Sequence, residues 1–171
     1  NDLSILALSD AGQLQLEYTL ADPQILVQKV IDQYTAQALG SQVKIDFLST
    51  GDCQPILVDP HRVEQILGNL VSNALRYTPQ NASITVSLDC ATQGIKLEVH
   101  DQGPGIPAEA LPYVFDRFYR ADRSRTRAEG GSGLGLAIAS RLAEMHGGTL
   151  TAANHPQGGA VFTLFLPATH T

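Results

Sequence analysis

The sequence predicts an α+β domain, a two-layer α/β sandwich with three main helices on a mixed, mostly antiparallel sheet. Three observations lead there. Apolar and polar residues alternate in several short runs, such as Ile95, Leu97 and Val99 within Gly94–His100, which is the pattern of half-buried strands. Two Asp-Pro pairs, Asp22-Pro23 and Asp59-Pro60, each open an amphipathic stretch and read as helix starts. A stretch over 103–131, rich in Pro, Gly and Arg, is longer than the roughly 12–15 residues an ordinary connection spans, so it reads as a lid or a mobile segment. The 171 residues suit one domain with a sizeable core.

Taken in order, the first ten residues carry Leu3, Ile5, Leu6 and Leu8 and read as the end of a helix. Residues 13–19 alternate as a short strand. Asp22 is placed to cap the next helix, Pro23 to occupy its first position, and Leu26, Val30, Ile31 and Tyr34 to face the core before Gly40 ends it. Residues 42–49 form a strand through Val43, Ile45 and Phe47, and Ile56–Val58 a shorter one. Asp59-Pro60 opens a helix to Tyr77 whose stripe is Val63, Ile66, Leu67, Leu70, Val71, Ala74 and Leu75. Residues 83–89 and Gly94–His100 read as a hairpin. A helix over 132–146 stops at Gly147-Gly148. Strands over 149–153 and 160–166 complete the chain.

Composition narrows the function. A formal net charge of -6 argues against nucleic acid as a partner. No apolar run approaches the roughly 20 residues a membrane helix needs, and no signal-peptide pattern is present. Cys53 and Cys90 lack metal-ligand spacing; a single disulfide stays open, with reduced thiols in a cytoplasmic domain the preferred expectation. Arg117, Arg120, Arg123, Arg125 and Arg127 crowd one segment of this acidic chain, either as a solvated loop or as a patch for a small polyanion.

Several residues carry chemistry. Asp101-Gln102-Gly103-Pro104-Gly105-Ile106 sets a carboxylate at a strand end before two glycines that permit a tight turn and close ligand approach. A carboxylate accepts hydrogen bonds and donates none, which suits an exocyclic amine such as that of adenine. Asn69, Asn73 and Arg76 share one strip of the second Asp-Pro helix, beside its apolar stripe. Asparagine is a poor helix former, and its side-chain carbonyl is a hard oxygen ligand for Mg²⁺, so the pair is either a surface accident or a metal and phosphate site. Gly130-Gly131-Ser132-Gly133-Leu134-Gly135-Leu136 stands at a loop-to-helix junction, where free N–H groups attract phosphate. It matches neither a Walker A loop nor a dinucleotide fingerprint. Between the glycine elements, Phe115 and Phe118 are expected to pin the loop to the body and release it reversibly, as a lid requires.

In this order, Asn69 to Tyr77, Asp101 to Gly105, Phe115 to Arg120 and Gly131 to Leu136 resemble the N, first-glycine, F and second-glycine boxes of the catalytic ATP-binding domain of sensor histidine kinases. That family belongs with gyrase, MutL and the heat-shock chaperone. His146-Gly147-Gly148 and the run from Gly158 to Pro167 are similar to it as well. The resemblance implies a Bergerat-type fold with an ATP lid over 103–131. It implies that Asp101 accepts from the adenine amine, with Gly103, Gly105 and Ile106 against the base. Asn73 would hold Mg²⁺, with Asn69 as its neighbour or co-ligand, and Arg76 and Tyr77 would face phosphates and ribose. Arg120 would meet the γ-phosphate, while Gly131, Ser132, Gly133, Leu134 and Gly135 cradle the phosphate chain. Asn69 and Arg120 are the catalytic candidates, and ATP and Mg²⁺ the cofactors. The partners implied are the histidine-containing dimerisation and phosphoacceptor domain of the same protein and a response regulator downstream. The isolated domain would be a monomer, the full-length protein a homodimer, cytoplasmic or anchored to a membrane.

Two departures from the wider family bear on activity. The related ATPases carry a glutamate that activates water where this chain has Asn69, and an amide is no general base near neutral pH. This favours transfer of the phosphoryl group to a protein over hydrolysis, and so a histidine kinase over an ATPase clamp or an anti-sigma serine kinase. The last strand has Ala160-Val161 where relatives often carry a threonine. None of His61, His100, His146, His155 and His170 lies in a phosphoacceptor context. Residues 1–12 resemble the tail of the phosphoacceptor domain and 13–171 the catalytic domain, so the substrate histidine is expected on a separate domain absent from this chain.

Overall fold

Alternation along the strands becomes layering in the structure, a computed structural model that describes residues 1–120 and 133–168. Five strands form the main sheet: β2 (Lys44–Gly51), β4 (Ser83–Ala91), β5 (Gly94–His100), β6 (Thr149–Asn154) and β7 (Ala160–Pro167), in the order β2-β4-β5-β7-β6. Only β2 and β4 run parallel; every other pair is antiparallel. Register lines like residues across the sheet. Leu88 faces Leu97, Leu97 faces Leu164, and Leu164 faces Leu150. Those four are buried, whereas Thr85, Ser87, Lys96, Glu98 and Thr163 on alternate positions are not, so one face is wet and the other meets the helices.

Helices α2 (Pro23–Gly40), α3 (Pro60–Tyr77) and α4 (Gly135–Met145) cover the apolar face, giving the two-layer sandwich expected. Asp22 Oδ1 caps α2 through Gln24 N at 2.9 Å, and Asp59 Oδ1 caps α3 through Arg62 N at 3.2 Å. The expected stripe of α3 is buried in full, from Val63 to Leu75. Each such Leu or Ile contributes about 1.5–3 kcal/mol relative to exposure. Among the described residues no helix is long and apolar enough to cross a membrane.

Four expectations change. The strand expected over 13–19 is only β1 (Thr19–Ala21), because its partner β3 (Ile56–Val58) offers three residues to pair with. The last helix begins at Gly135, with Gly133 outside it and Leu134 at the N-cap position; Ser132, its expected first residue, lies outside the described residues. The stretch after Gly103 contains a 3-10 turn at Leu111–Tyr113. The preferred reading of free thiols is overturned, since Cys53 and Cys90 form a disulfide. Their 37-residue separation hides a neighbourhood created by the sheet: Gly51 pairs with Cys90, which carries Cys53 alongside it. By loop-closure entropy such a bridge stabilises the fold by about 3–4 kcal/mol.

The N-terminal helix α1 (Asp2–Asp10) lies on α4, with Leu6 in the core and Ser9 Oγ receiving a hydrogen bond from Arg141 Nε at 2.6 Å. The chain then passes the junction of α3 and α4. There the buried carboxylate of Asp59 accepts from Glu17 N at 2.9 Å, and Asp59 N–H donates to Nε2 of His146 at 3.1 Å. His146 is fully buried, and its Nδ1 sits 2.8 Å from the Leu142 carbonyl. A backbone donor at Nε2 and a carbonyl at Nδ1 admit one tautomer, neutral with its proton on Nδ1. Tyr18 packs edge-on to the same imidazole; burial raises its phenol pKa, and the Asp59 carboxylate adds to the rise. Replacing His146 by leucine keeps much of the volume but leaves the Asp59 N–H unpaired in the core. The expected loss is about 2–3 kcal/mol in urea unfolding.

Candidate functional site

Helices α3 and α4 create the site by the way they are aligned. At one end Asp59 N–H reaches His146 just past α4; at the other Asn69 Nδ2 donates to the Gly135 carbonyl at 2.9 Å. The two contacts lie ten residues apart on the α3 side (59 to 69) and eleven on the α4 side (135 to 146), so the helices run antiparallel in one register. At 1.5 Å rise per residue these spans are about 15 and 16.5 Å. The N-terminus of α4, whose first N–H groups have no partner within the helix, is thereby held against the asparagine strip of α3. Because Nδ2 of Asn69 is committed to Gly135, its Oδ1 is the atom left to accept or to coordinate.

The opposite wall is a carboxylate corner. Asp101 follows β5 directly, is 2% exposed, and its N–H donates to the Ala160 carbonyl at 3.0 Å. Its Oδ1 accepts two backbone N–H groups, from Gly103 at 2.9 Å and from Ala160 at 3.1 Å. That fixes the carboxylate plane and leaves Oδ2 for a ligand. Gly159, at φ +83°, makes the corner possible, since a Cβ there would stand 1.9 Å from the Asp101 carbonyl oxygen.

Between these walls lies a cavity of about 300 Å³. From α3 it takes Asn69, Asn73, Arg76 and Tyr77; from the turn after β5, Asp101, Gly105 and Ile106; from the start of α4 and the segment before it, Arg120, Gly133 and Gly135. Ten residues singled out in the sequence therefore line one space. Gly103 stands behind it, supporting Asp101, and the Leu134 side chain is in the core at 2% exposure. Gly131, Ser132, Arg123, Arg125 and Arg127 lie outside the described residues.

Sequence reasoning missed other lining residues. Phe162 and Leu136 give the cavity an apolar floor; Leu136 was visible only as the end of the glycine motif and Phe162 only as a residue of the last strand. Asp2 reaches the rim because α1 lies on α4, a tertiary fact with no sequence signal. Phe115 packs edge-on to Phe162, with ring centroids 6.1 Å apart, as a pinning role requires. Phe118 does not pin through its ring, which is 62% exposed; its φ of +62° turns the side chain outward, and its N–H makes the link by donating to the Gly133 carbonyl at 2.9 Å. Arg117 pairs with Asp10 of α1 at 2.6 Å, tying this segment to the N-terminal helix.

Residues 58–170 match the family model described as histidine kinase-, DNA gyrase B-, and HSP90-like ATPase. Signal transduction histidine-protein kinase BaeS of Escherichia coli K12 is 35% identical over 167 residues, which are 98% of this chain and 36% of that protein. AfsQ2 of Streptomyces coelicolor, also a signal transduction histidine-protein kinase, is 54% identical over 110 residues, 64% of this chain and 20% of that protein. The chain thus spans about a third or less of the length of these relatives. The structure of full-length ShkA in complex with AMPPNP aligns with a TM-score of 0.86 at 28% identity, covering 100% of this chain and 35% of that one. The catalytic domain of histidine kinase ThkA aligns at 0.80 and 27% identity, covering 90% and 97%.

Two glycine substitutions separate the roles of the walls. Gly135→Ala adds a Cβ 3.6 Å from Asn69 Cγ, ordinary contact, and is expected to leave thermal stability nearly unchanged. Gly159→Ala is expected to lower the melting temperature by at least about 2–4 °C, since strain and displacement of Asp101 cost over about 1 kcal/mol.

Proposed function

Since this chain belongs to the histidine kinase-, DNA gyrase B- and HSP90-like ATPase family, we propose that it is the ATP- and Mg²⁺-binding catalytic domain of a two-component sensor histidine kinase, which presents the γ-phosphate of ATP to a histidine on a separate phosphoacceptor domain. The observation that carries the reading is the state of Asn69. Where hydrolysing relatives place a glutamate, this chain has an amide already committed to Gly135, and no carboxylate of α3 replaces it. Glu64 is paired with Lys29 of α2 at 2.9 Å. None of the α3 side chains that line the cavity, Asn69, Ser72, Asn73, Arg76 and Tyr77, is a base for water near neutral pH, so the cavity suits donation to an acceptor that brings its own nucleophile.

Each wall then has a task. Asp101 Oδ2 accepts from the 6-amino group of adenine, while Ile106 and Phe162 enclose the ring in apolar surface. Arg76 and Arg120 neutralise phosphate charge, and the N–H groups at Gly133 and Gly135 receive phosphate oxygens where the α4 dipole is positive. The donor set fits Mg²⁺: Asn73 and the free Oδ1 of Asn69 are hard amide oxygens, and a cation that keeps its waters and shares phosphate ligands needs only one or two protein donors. When bound, Mg²⁺ would supply charge neutralisation between phosphates during transfer. The residues of this chain hold and orient the nucleotide, so that the acceptor imidazole meets the γ-phosphorus in line.

In the same reading, residues 1–12 end the helical phosphoacceptor domain, and the full-length protein is a cytoplasmic or membrane-anchored homodimer that passes its phosphate to a response regulator. Structural likeness to ShkA, solved with AMPPNP, and to the ThkA catalytic domain supports it.

Asp101→Asn is expected to weaken ATP binding more than tenfold in calorimetry, and to weaken inosine triphosphate less. An asparagine keeping Oδ1 on Gly103 and Ala160 turns an N–H donor towards the base, which repels an amine and suits a carbonyl. Unchanged ATP affinity would count against Asp101 as the base reader. Asn73→Ala is expected to reduce Mg²⁺-dependent transfer to an added phosphoacceptor domain by at least a hundredfold. Phosphorylation assays that find full transfer would remove Asn73 from the metal role, and rapid multiple-turnover hydrolysis by the isolated wild-type chain would favour an ATPase instead.

A further inference from the structure

We propose that Asn154 is a positioning residue for the base pocket, clamping the strap that carries Ile106 and thereby sharpening the preference for adenine. This rests on the ATP reading above. Asn154 is the last residue of β6, the edge strand of the sheet, so no neighbouring strand lies beyond it. Its side chain grips a single residue of the loop after Asp101. Oδ1 accepts from Ile106 N at 2.7 Å, and Nδ2 donates to Ile106 O at 2.7 Å. A backbone N–H must face an oxygen and a carbonyl must face the NH₂, so the amide has one orientation. The fork imitates a rung of antiparallel sheet, made by a side chain where the edge strand ends.

The same rung holds both halves of the base corner. Across β7, Asn154 pairs with Ala160, whose N–H donates to Asp101 Oδ1 at 3.1 Å. One pair of residues therefore locks the carboxylate from one side and the strap from the other. Gly105 is shaped to this clamp: its φ is +80°, and a Cβ there would lie 2.9 Å from Asn154 Oδ1. Gly105 and Ile106 both line the cavity.

The clamp decides what the strap shows a ligand. With its N–H and C=O both engaged by Asn154, Ile106 presents an apolar side chain and keeps its backbone polar groups for the amide. Hydrogen-bond reading at this wall stays with Asp101, an acceptor, which favours a 6-amino purine. Release of the clamp frees an N–H donor and a carbonyl beside the base and lets a 6-oxo purine find partners. Asn154 is itself exposed, so its two bonds direct the strap without holding the core.

The test is a titration of the whole chain with ATP and with GTP, both with Mg²⁺, for wild type, Asn154→Asp and Asn154→Ser, beside thermal unfolding without nucleotide. Asn154→Asp keeps the shape but turns a carboxylate oxygen towards the Ile106 carbonyl. The expected result is an ATP affinity about tenfold lower, the effect of losing and repelling one clamp contact, and an ATP-over-GTP preference narrowed at least fivefold. The melting temperature is expected to stay near that of wild type. Asn154→Ser, able to keep one bond, should fall between. A wild type that selects ATP while Asn154→Asp matches it in affinity and preference overturns the clamp alone. Parallel losses of ATP affinity, GTP affinity and melting temperature also overturn it, by reducing Asn154 to a structural role. A wild type that binds neither nucleotide overturns the ATP reading and this inference together.

Discussion

The register between α3 and α4 is the constraint on which the rest of this structure depends. Two hydrogen bonds set it, one between the Asp59 N–H and His146, the other between the Asn69 amide and the Gly135 carbonyl. Both are polar contacts set at the two ends of α4, against the start and the middle of α3, and they do what apolar packing does poorly. Leucine and isoleucine stripes tolerate sliding by a turn at modest cost, whereas a buried donor left without its acceptor does not. A shift of one turn, about 5.4 Å, would carry the N–H groups of α4 past the asparagine strip. The cavity exists because the helices cannot make that shift and keep both bonds.

The sheet supplies the second half of the site through a different economy of contacts. Asp101 stands just past a strand end, where the ladder runs out and a side chain can take over its hydrogen bonds. One carboxylate oxygen closes the backbone around Gly103 and Ala160, and the other is directed into the cavity. Asn154 repeats the device on the edge strand, gripping Ile106 by both backbone groups. At both places a polar side chain ends a strand and begins the pocket. In the proposed function this makes the base wall rigid, while the phosphate wall is built from a helix terminus, from Arg76 of α3 and from Arg120 on the less regular segment before α4.

The long elements were legible because their signals are local. Asp59-Pro60 and the seven-residue stripe marked α3 at both ends, and Gly94–His100 was readable from alternation alone. Ten of the candidate site residues meet at one cavity because the motifs that mark them sit on these well-signalled elements. What escaped was set by pairing between distant segments. Residues 13–19 carry a strand pattern, yet only three residues pair, since β3 is that short. Cys53 and Cys90 carry no spacing signal, and sheet register alone makes them neighbours. Phe118 has the composition of a buried anchor, but its backbone conformation points the ring to solvent.

By itself the sequence determined the fold class, the order of the elements and the chemistry offered: an acceptor for an amine, amide oxygens for a hard cation, and glycines at a helix start. These depend on periodicity, capping and side-chain type, all carried within a few residues of chain. The tertiary structure alone decided which oxygen of Asp101 is left for a ligand, which atom of Asn69 is free, that Phe162 and Asp2 line the site, and that Asn154 grips the strap carrying Ile106. Those outcomes depend on contacts between groups 48 to 66 residues apart in sequence, and such meetings are settled only when the sheet register and the helix register close together.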